Sequence, residues 1–284
     1  MSQIDVEELK SWSGRTEERS DMATPRLLAE FRATLAPFLA PEAIPGCPPG
    51  FHWCLVGQDT PMAELGEDGH PKRGGFLPPV PLPRRMWAGG ATETLGTILP
   101  GDHVIRRSRI GDINVKEGKS GTLCFVAVHN DYVTERGVAV SDRLDVVFRE
   151  ASSGSPAPQA AKPPPAEEKP KADLSWKVEA STPLLFRYSA LTFNGHRIHY
   201  DYPYATEVEG YAGLLVHGPM QATILFNLAA TLMGSVPRLF DYRGVSPIIA
   251  DGFFTVNGTR NGDGSITCWT EGPDGKTGMK ASAR

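Results

Sequence analysis

Leu215-Val216-His217-Gly218-Pro219-Met220-Gln221-Ala222-Thr223-Ile224-Leu225-Phe226-Asn227-Leu228-Ala229-Ala230-Thr231-Leu232-Met233 is the stretch from which the fold is read. Proline directly after glycine suits a helix start, and Ile224, Leu225, Leu228 and Leu232 recur at helical spacing. The segment is apolar on nearly all sides, so the helix over 219–233 must be wrapped by other structure rather than laid on a surface. Downstream, 251–257 and 266–271 alternate as strands, joined across Asn261-Gly262-Asp263-Gly264, a hairpin signal. Together they predict an antiparallel sheet curled around one long buried helix.

Working outward, 202–207 reads as a short helix behind Asp201, and 183–192 as a strand or turn entry. Upstream, Ser152 to Ala172 contains Pro163-Pro164-Pro165 with Ala, Lys and Glu and has almost nothing to fill a core. It reads as a linker, which divides the chain into 1–150, a linker over 151–172, and 173–284. In the first part, Thr24 caps a helix from Pro25 to about Leu39. The Pro/Gly-dense stretch 44–83 is irregular, and 104–115, 122–133 and 138–149 form an antiparallel meander. The segment 84–95 is the nearest equivalent of the central helix there, short and broken by Gly89-Gly90. A helix inside a curled antiparallel sheet is the hot-dog arrangement. The fold class expected from the pattern is α+β with a hot-dog in the C-terminal part.

Composition excludes several functions. Of 284 residues 40% are hydrophobic and 22% charged, and no run approaches the ~18 uninterrupted apolar residues of a membrane span. No membrane association is expected. The net charge of −4, from 29 basic and 33 acidic residues scattered along the chain, supplies no basic stripe for nucleic acid. Cys47, Cys54, Cys124 and Cys268 lack CxxC spacing and, with seven scattered histidines, match no zinc template. No metal or cofactor is therefore expected. Residues 1–10 lack the apolar run of a signal peptide, which makes the cytoplasm the expected compartment.

The string Phe186-Arg187-Tyr188-Ser189-Ala190-Leu191-Thr192-Phe193-Asn194-Gly195-His196-Arg197-Ile198-His199-Tyr200-Asp201, with His217-Gly218 after it, carries the chemistry. It resembles the MaoC-like hydratase-2 family of hot-dog enzymes, whose motif runs Gly-Asp-x-Asn-Pro-x-His before a short helix and a His-Gly pair. The resemblance implies that Asn194 stands on the catalytic Asp, His199 on the catalytic His, and Gly218 on the backbone donor of the oxyanion hole. Phe193, Asn194, His196 and Arg197 depart from the family's Gly, Asp, Asn and Pro. The string as a whole is similar to one branch, two-part hydratases of mesaconyl-C4-CoA (3-methylfumaryl-CoA) and itaconyl-CoA and 3-hydroxyacyl thioester dehydratases. The resemblance, carried by residues 186–218, implies a tandem double hot-dog with a degenerate N-terminal unit carrying a helical leader.

Chemistry asks for the same parts. Hydration of an enoyl thioester needs a base for water, an acid for the α-carbon and donors for the enolate oxygen. An imidazole at His199 suits both proton transfers. Asn194 can orient water without exchanging protons, or merely shape the turn before Gly195. The start of the 219–233 helix offers free N–H groups. His196 and His217 are further candidates, for substrate contact or for turn and strand hydrogen bonds. Arg187, Arg197 and Arg243 are candidates to pair with a substrate carboxylate or with the CoA phosphates. Asp201 reads as a helix cap.

The expected function is a hydro-lyase that adds water to a short branched dicarboxylic enoyl-CoA to give citramalyl-CoA. The alternatives are a 3-hydroxyacyl thioester dehydratase of fatty-acid synthesis, a thioesterase, or a non-catalytic acyl-CoA-binding protein. The expected partner is the acyl-CoA thioester. The N-terminal unit takes the place that a second subunit would otherwise fill, and a homodimer of whole chains is compatible with that.

Overall fold

The computed structural model describes residues 4–118, 121–150 and 171–284. Nearly all of the expected linker, 151–170, lies outside the described residues. Ten strands form one antiparallel sheet in the order β1-β3-β4-β5-β2-β7-β10-β9-β8-β6. The N-terminal half supplies β1 (Thr16–Met22), β2 (Arg84–Thr94), β3 (His103–Gly118), β4 (Gly121–Thr134) and β5 (Gly137–Arg149). The C-terminal half supplies β6 (Leu174–Glu179), β7 (Leu239–Gly244), β8 (Phe253–Arg260), β9 (Ile266–Glu271) and β10 (Thr277–Ala283). Within each half the first strand lies at the outer edge and the second at the centre of the whole sheet. The two halves therefore repeat one topology.

They join where β2 pairs with β7, Gly89 against Arg243 and Gly90 against Tyr242. This corrects the reading of 84–95 as a broken helix. Gly89-Gly90 is where two sheets meet, since a side chain at Gly90 would collide with the Tyr242 ring and the Arg143 carbonyl.

α1 (Val6–Lys10) and α2 (Pro25–Leu35) precede β2, and Thr24 Oγ1 caps α2 by accepting from Leu27 N at 3.1 Å. α3 (Thr182–Leu191) stands where a strand or turn was expected; Pro183 sits in its first turn, the helix-start signal that its short apolar run obscured. α4 (Gly218–Met233) is the central helix, with every residue from Met220 to Ala230 buried and Gly234 closing it at φ 75°. Fully burying each of Ile224, Leu225, Phe226 and Leu228 stabilises by roughly 1.5–3 kcal/mol. Among the described residues, the N-terminal half has no counterpart of α4. Its hollow is filled by the one-turn helix Phe51–Cys54 and by Phe76, Leu77, Val80 and Leu82.

The polar residues of α4 fix how the halves meet. Asn227, fully buried, accepts from Ala40 N at 3.0 Å and donates to the Pro49 carbonyl at 2.8 Å. One hydrophobic cluster runs through both halves, including Phe31, Leu35 and Phe51 with Tyr188, Met220 and Phe226.

Candidate active site

The site lies at the N-terminal end of α4. The chain from α3 turns through 193–196, makes a single turn over Arg197–His199 and a π-turn over Tyr204–Val208, and reaches α4. Asp201 Oδ1 accepts from Tyr204 N at 3.1 Å, as a cap. At the first turn Phe193 has φ 48°, the left-handed backbone that glycine would adopt freely, at a cost of about 1–2 kcal/mol for a side chain. Asn194 Oδ1 accepts from His196 N at 3.0 Å, so its carbonyl shapes this turn.

Three histidines converge. His199, buried, donates from Nδ1 to the Leu215 carbonyl at 2.8 Å, which leaves Nε2 as the basic nitrogen. Its ring stacks on His217 with centroids 3.6 Å apart, and His196 meets its edge at 5.5 Å. His217 is fully buried and shares a 2.8 Å hydrogen bond between Nε2 and Ser189 Oγ. Burial pushes His199 down to about 4 and His196 to about 3, each of the two helped or opposed by neighbours less than by desolvation. His217 is pushed well below the usual imidazole range by burial, then by the other two rings. All three are neutral at pH 7. Gly218 follows His217 directly as the first residue of α4, where its N–H has no partner within the helix. A neutral base, a second imidazole against it and an unpaired backbone donor can together move one proton and hold one developing negative oxygen.

The N-terminal half contributes to this site, which the reading of it as a degenerate unit did not suggest. The Gly66–His70 turn clamps the 194–197 loop. Gly69 and Gly195 pack so closely that a side chain on Gly69 would collide with the Gly195 carbonyl, and Arg197 N donates to Asp68 O at 3.0 Å. His70 meets His196 ring to ring at 4.3 Å. Asp68, His70 and His196 present ligand atoms within 4.8 Å of one another. Arg85 Nε stands 3.4 Å from Asp68 Oδ2, so that carboxylate also faces a cation. Trp87 lies over Gly218, 3.4 Å from where a side chain would begin. A turn rich in Gly and Pro and a strand misread as helix hid these residues; the acidic Glu67-Asp68-Gly69-His70 run was the one visible cue.

Two expected substrate contacts lie elsewhere. Arg197 is engaged by Asp201 Oδ2 at 2.7 and 2.9 Å, by the Glu67 carbonyl at 3.0 Å, and over the Tyr204 ring. It braces the loop instead of facing the histidines. Arg243 alternates with buried Tyr242 along β7 and lines an open groove on the outer face of the sheet with Asp145, Asp241 and Lys280. Neither cation stands beside His199.

The Hydroxyacyl-thioester dehydratase type 2 family matches residues 50–250, which span both halves and every residue of this site. The chain belongs to that family. It is 37% identical over 273 residues to the Mesaconyl-C(4)-CoA hydratase of Chloroflexus aurantiacus, covering 96% of each chain. A solved MaoC-like dehydratase superposes with a TM-score of 0.70 at 14% identity over 97% of this chain and 98% of that one. A Mycobacterium tuberculosis protein with a double hotdog fold does so with a TM-score of 0.56 at 12% identity, over 95% of each. The fold is thus the double hot-dog, and the chain is a hydro-lyase of acyl thioesters. No helix among the described residues is long and apolar enough to cross a membrane.

Proposed function

We propose that this enzyme hydrates a short branched dicarboxylic enoyl-CoA of the mesaconyl-C4-CoA type, with His199 as its acid/base, and that itaconyl-CoA is a related candidate. The observation that carries the mechanism is the His199 Nδ1 bond to Leu215 O, which leaves Nε2 unprotonated on a ring that stacks against His217, the residue before Gly218. In this reading His199 Nε2 takes a proton from water as its oxygen bonds to the β-carbon. The electron pair of the double bond moves into an enolate whose oxygen is held by the Gly218 N–H and the positive end of α4. The imidazolium then returns its proton to the α-carbon. Asn194, its carbonyl already bonded, is left with its amide N–H₂ to orient the water.

The nearly full-length relative named for mesaconyl-C4-CoA supports the substrate class. Both units lie within one chain, so the activity needs no second copy; the cytoplasm is the proposed compartment. The test is a panel of CoA thioesters followed at the enoyl-thioester absorbance band with a thiol reagent in parallel. Loss of the band without thiol release, fastest for mesaconyl-C4-CoA, is expected. Release of thiol would make the protein a thioesterase, no change an acyl-CoA binder, and preference for crotonyl-CoA or a longer straight chain a fatty-acid dehydratase.

A further inference from the structure

With Arg197 engaged by Asp201 and Arg243 lying on the outer face of the sheet, the proposed substrate's second carboxylate needs another partner. Buried polar atoms in native proteins almost always have hydrogen bonds, and exceptions call for a reason. Among the described residues, eight buried side-chain polar atoms lack a partner; Trp53 Nε1, Trp87 Nε1 and Tyr242 Oη are three of them, with His52 Nε2 and Asp142 Oδ2 behind them. The three rings touch one another, with centroids 5.4 Å apart for Trp53 and Trp87, 5.7 Å for Trp53 and Tyr242, and 5.1 Å for Trp87 and Tyr242. Trp87 is also the residue lying over Gly218. The triad therefore begins where the thioester carbonyl would be held.

We propose that Trp53, Trp87 and Tyr242 form the subsite that receives the distal carboxylate of the acyl chain, an assignment that rests on the dicarboxylate reading above. Both indole nitrogens can only donate, and burial, followed by the Asp142 and Asp145 carboxylates, drives the Tyr242 hydroxyl well above its ordinary pKa, so it stays protonated and donates too. Three donors with no acceptor of their own fit a carboxylate; a methyl group would leave them unpaired. The reach agrees, since the carboxyl carbon of a trans-butenedioyl thioester lies about 3.8 Å from the thioester carbon, the span of a trans planar unit. Tyr242 comes from the C-terminal half, whereas both tryptophans come from the N-terminal half. The half without its own histidine motif thus reads the acyl group. Asp142, held by Thr92 at 2.9 Å and facing His52 at 3.9 Å, backs the same cluster.

The test is the ratio of kcat/KM for mesaconyl-C4-CoA to that for crotonyl-CoA, which lacks the carboxylate, in the full-length protein and in Tyr242→Phe and Trp87→Phe. Losing one hydrogen bond to a buried charge lowers the ratio about tenfold or more. Tyr242→Phe, which removes one unpartnered hydroxyl, should melt no lower than the unaltered protein without ligand. A ratio kept within threefold in both variants, or a Tyr242→Phe protein that melts several degrees lower, overturns the subsite. An unaltered protein that prefers crotonyl-CoA overturns the dicarboxylate reading itself and the subsite with it, before any variant is compared.

Discussion

Lowering the pH from 7 to 5 should strip several kcal/mol of stability from this protein, and the three buried histidines of the site set the amount. His196, His199 and His217 all have folded-state pKa values pushed down by burial, to about 3, about 4 and well below the usual range. In the unfolded chain each titrates near 6.5. Between those values the unfolded state binds a proton that the folded state refuses, so stability is complete above about pH 6.5 and falls as the pH drops toward 4. For a histidine still neutral in the fold, moving from pH 7 to pH 5 costs about 2 kcal/mol, and three give about 6 kcal/mol. His129 on β4, lowered by burial and by Arg109 and Arg143, adds in the same direction. The shifted carboxylates, such as Asp102 and Asp201, are depressed, so their contribution is lost only at lower pH. The assay is urea unfolding at pH 7 and pH 5, for the unaltered protein and for His196→Asn. The variant should recover about a third of the loss. A loss below about 2 kcal/mol in the unaltered protein, or an identical loss in His196→Asn, would refute the reasoning.

Three further changes probe the site and its support. Asn194→Asp keeps an acceptor for His196 N and brings a carboxylate close to His196; it should fold normally and move the acid limb of the kcat/KM profile upward, and a failure to fold would make Asn194 purely structural. Gly69→Ala should reduce turnover more than it reduces stability, because the added methyl meets the Gly195 carbonyl and φ 84° disfavours a side chain; unchanged kinetics would remove the clamp from the account. Asn227→Leu leaves Ala40 N and the Pro49 carbonyl buried without partners and should cost about 2–5 kcal/mol by denaturant unfolding; a loss under 1 kcal/mol would show that the two halves are joined by other contacts.

The elements that carry a period were legible in the sequence. The uniformly apolar run of α4, the long meander β3-β4-β5 and the β8-β9 hairpin lie where their patterns put them. What misled was punctuation whose meaning depends on tertiary context. Gly89-Gly90 reads locally as a broken helix and is in fact the seam at which Tyr242 crosses the neighbouring strand. Pro183 opens α3, although its apolar run is too short for its period to separate helix from strand. In the site, the spacing of Asn194, His199, His217 and Gly218 singled out residues that the fold brings together, because one loop and one helix start carry them all. Arg197 was singled out for its charge, which local sequence cannot show to be engaged by Asp201 four residues on and by Glu67 from the other half. Asp68 and Trp87 reach the site only through long-range packing, and no local pattern announces that.

Proton transfer by His199 is the claim on which the rest depends. The direct measurement is kcat for hydration of mesaconyl-C4-CoA by the unaltered protein and by His199→Ala, read at the enoyl-thioester band, with melting temperatures taken on the same preparations. The account predicts a loss of about 10²–10⁴-fold in a variant that melts close to the unaltered protein. A folded His199→Ala protein that keeps more than about half of its activity would contradict it.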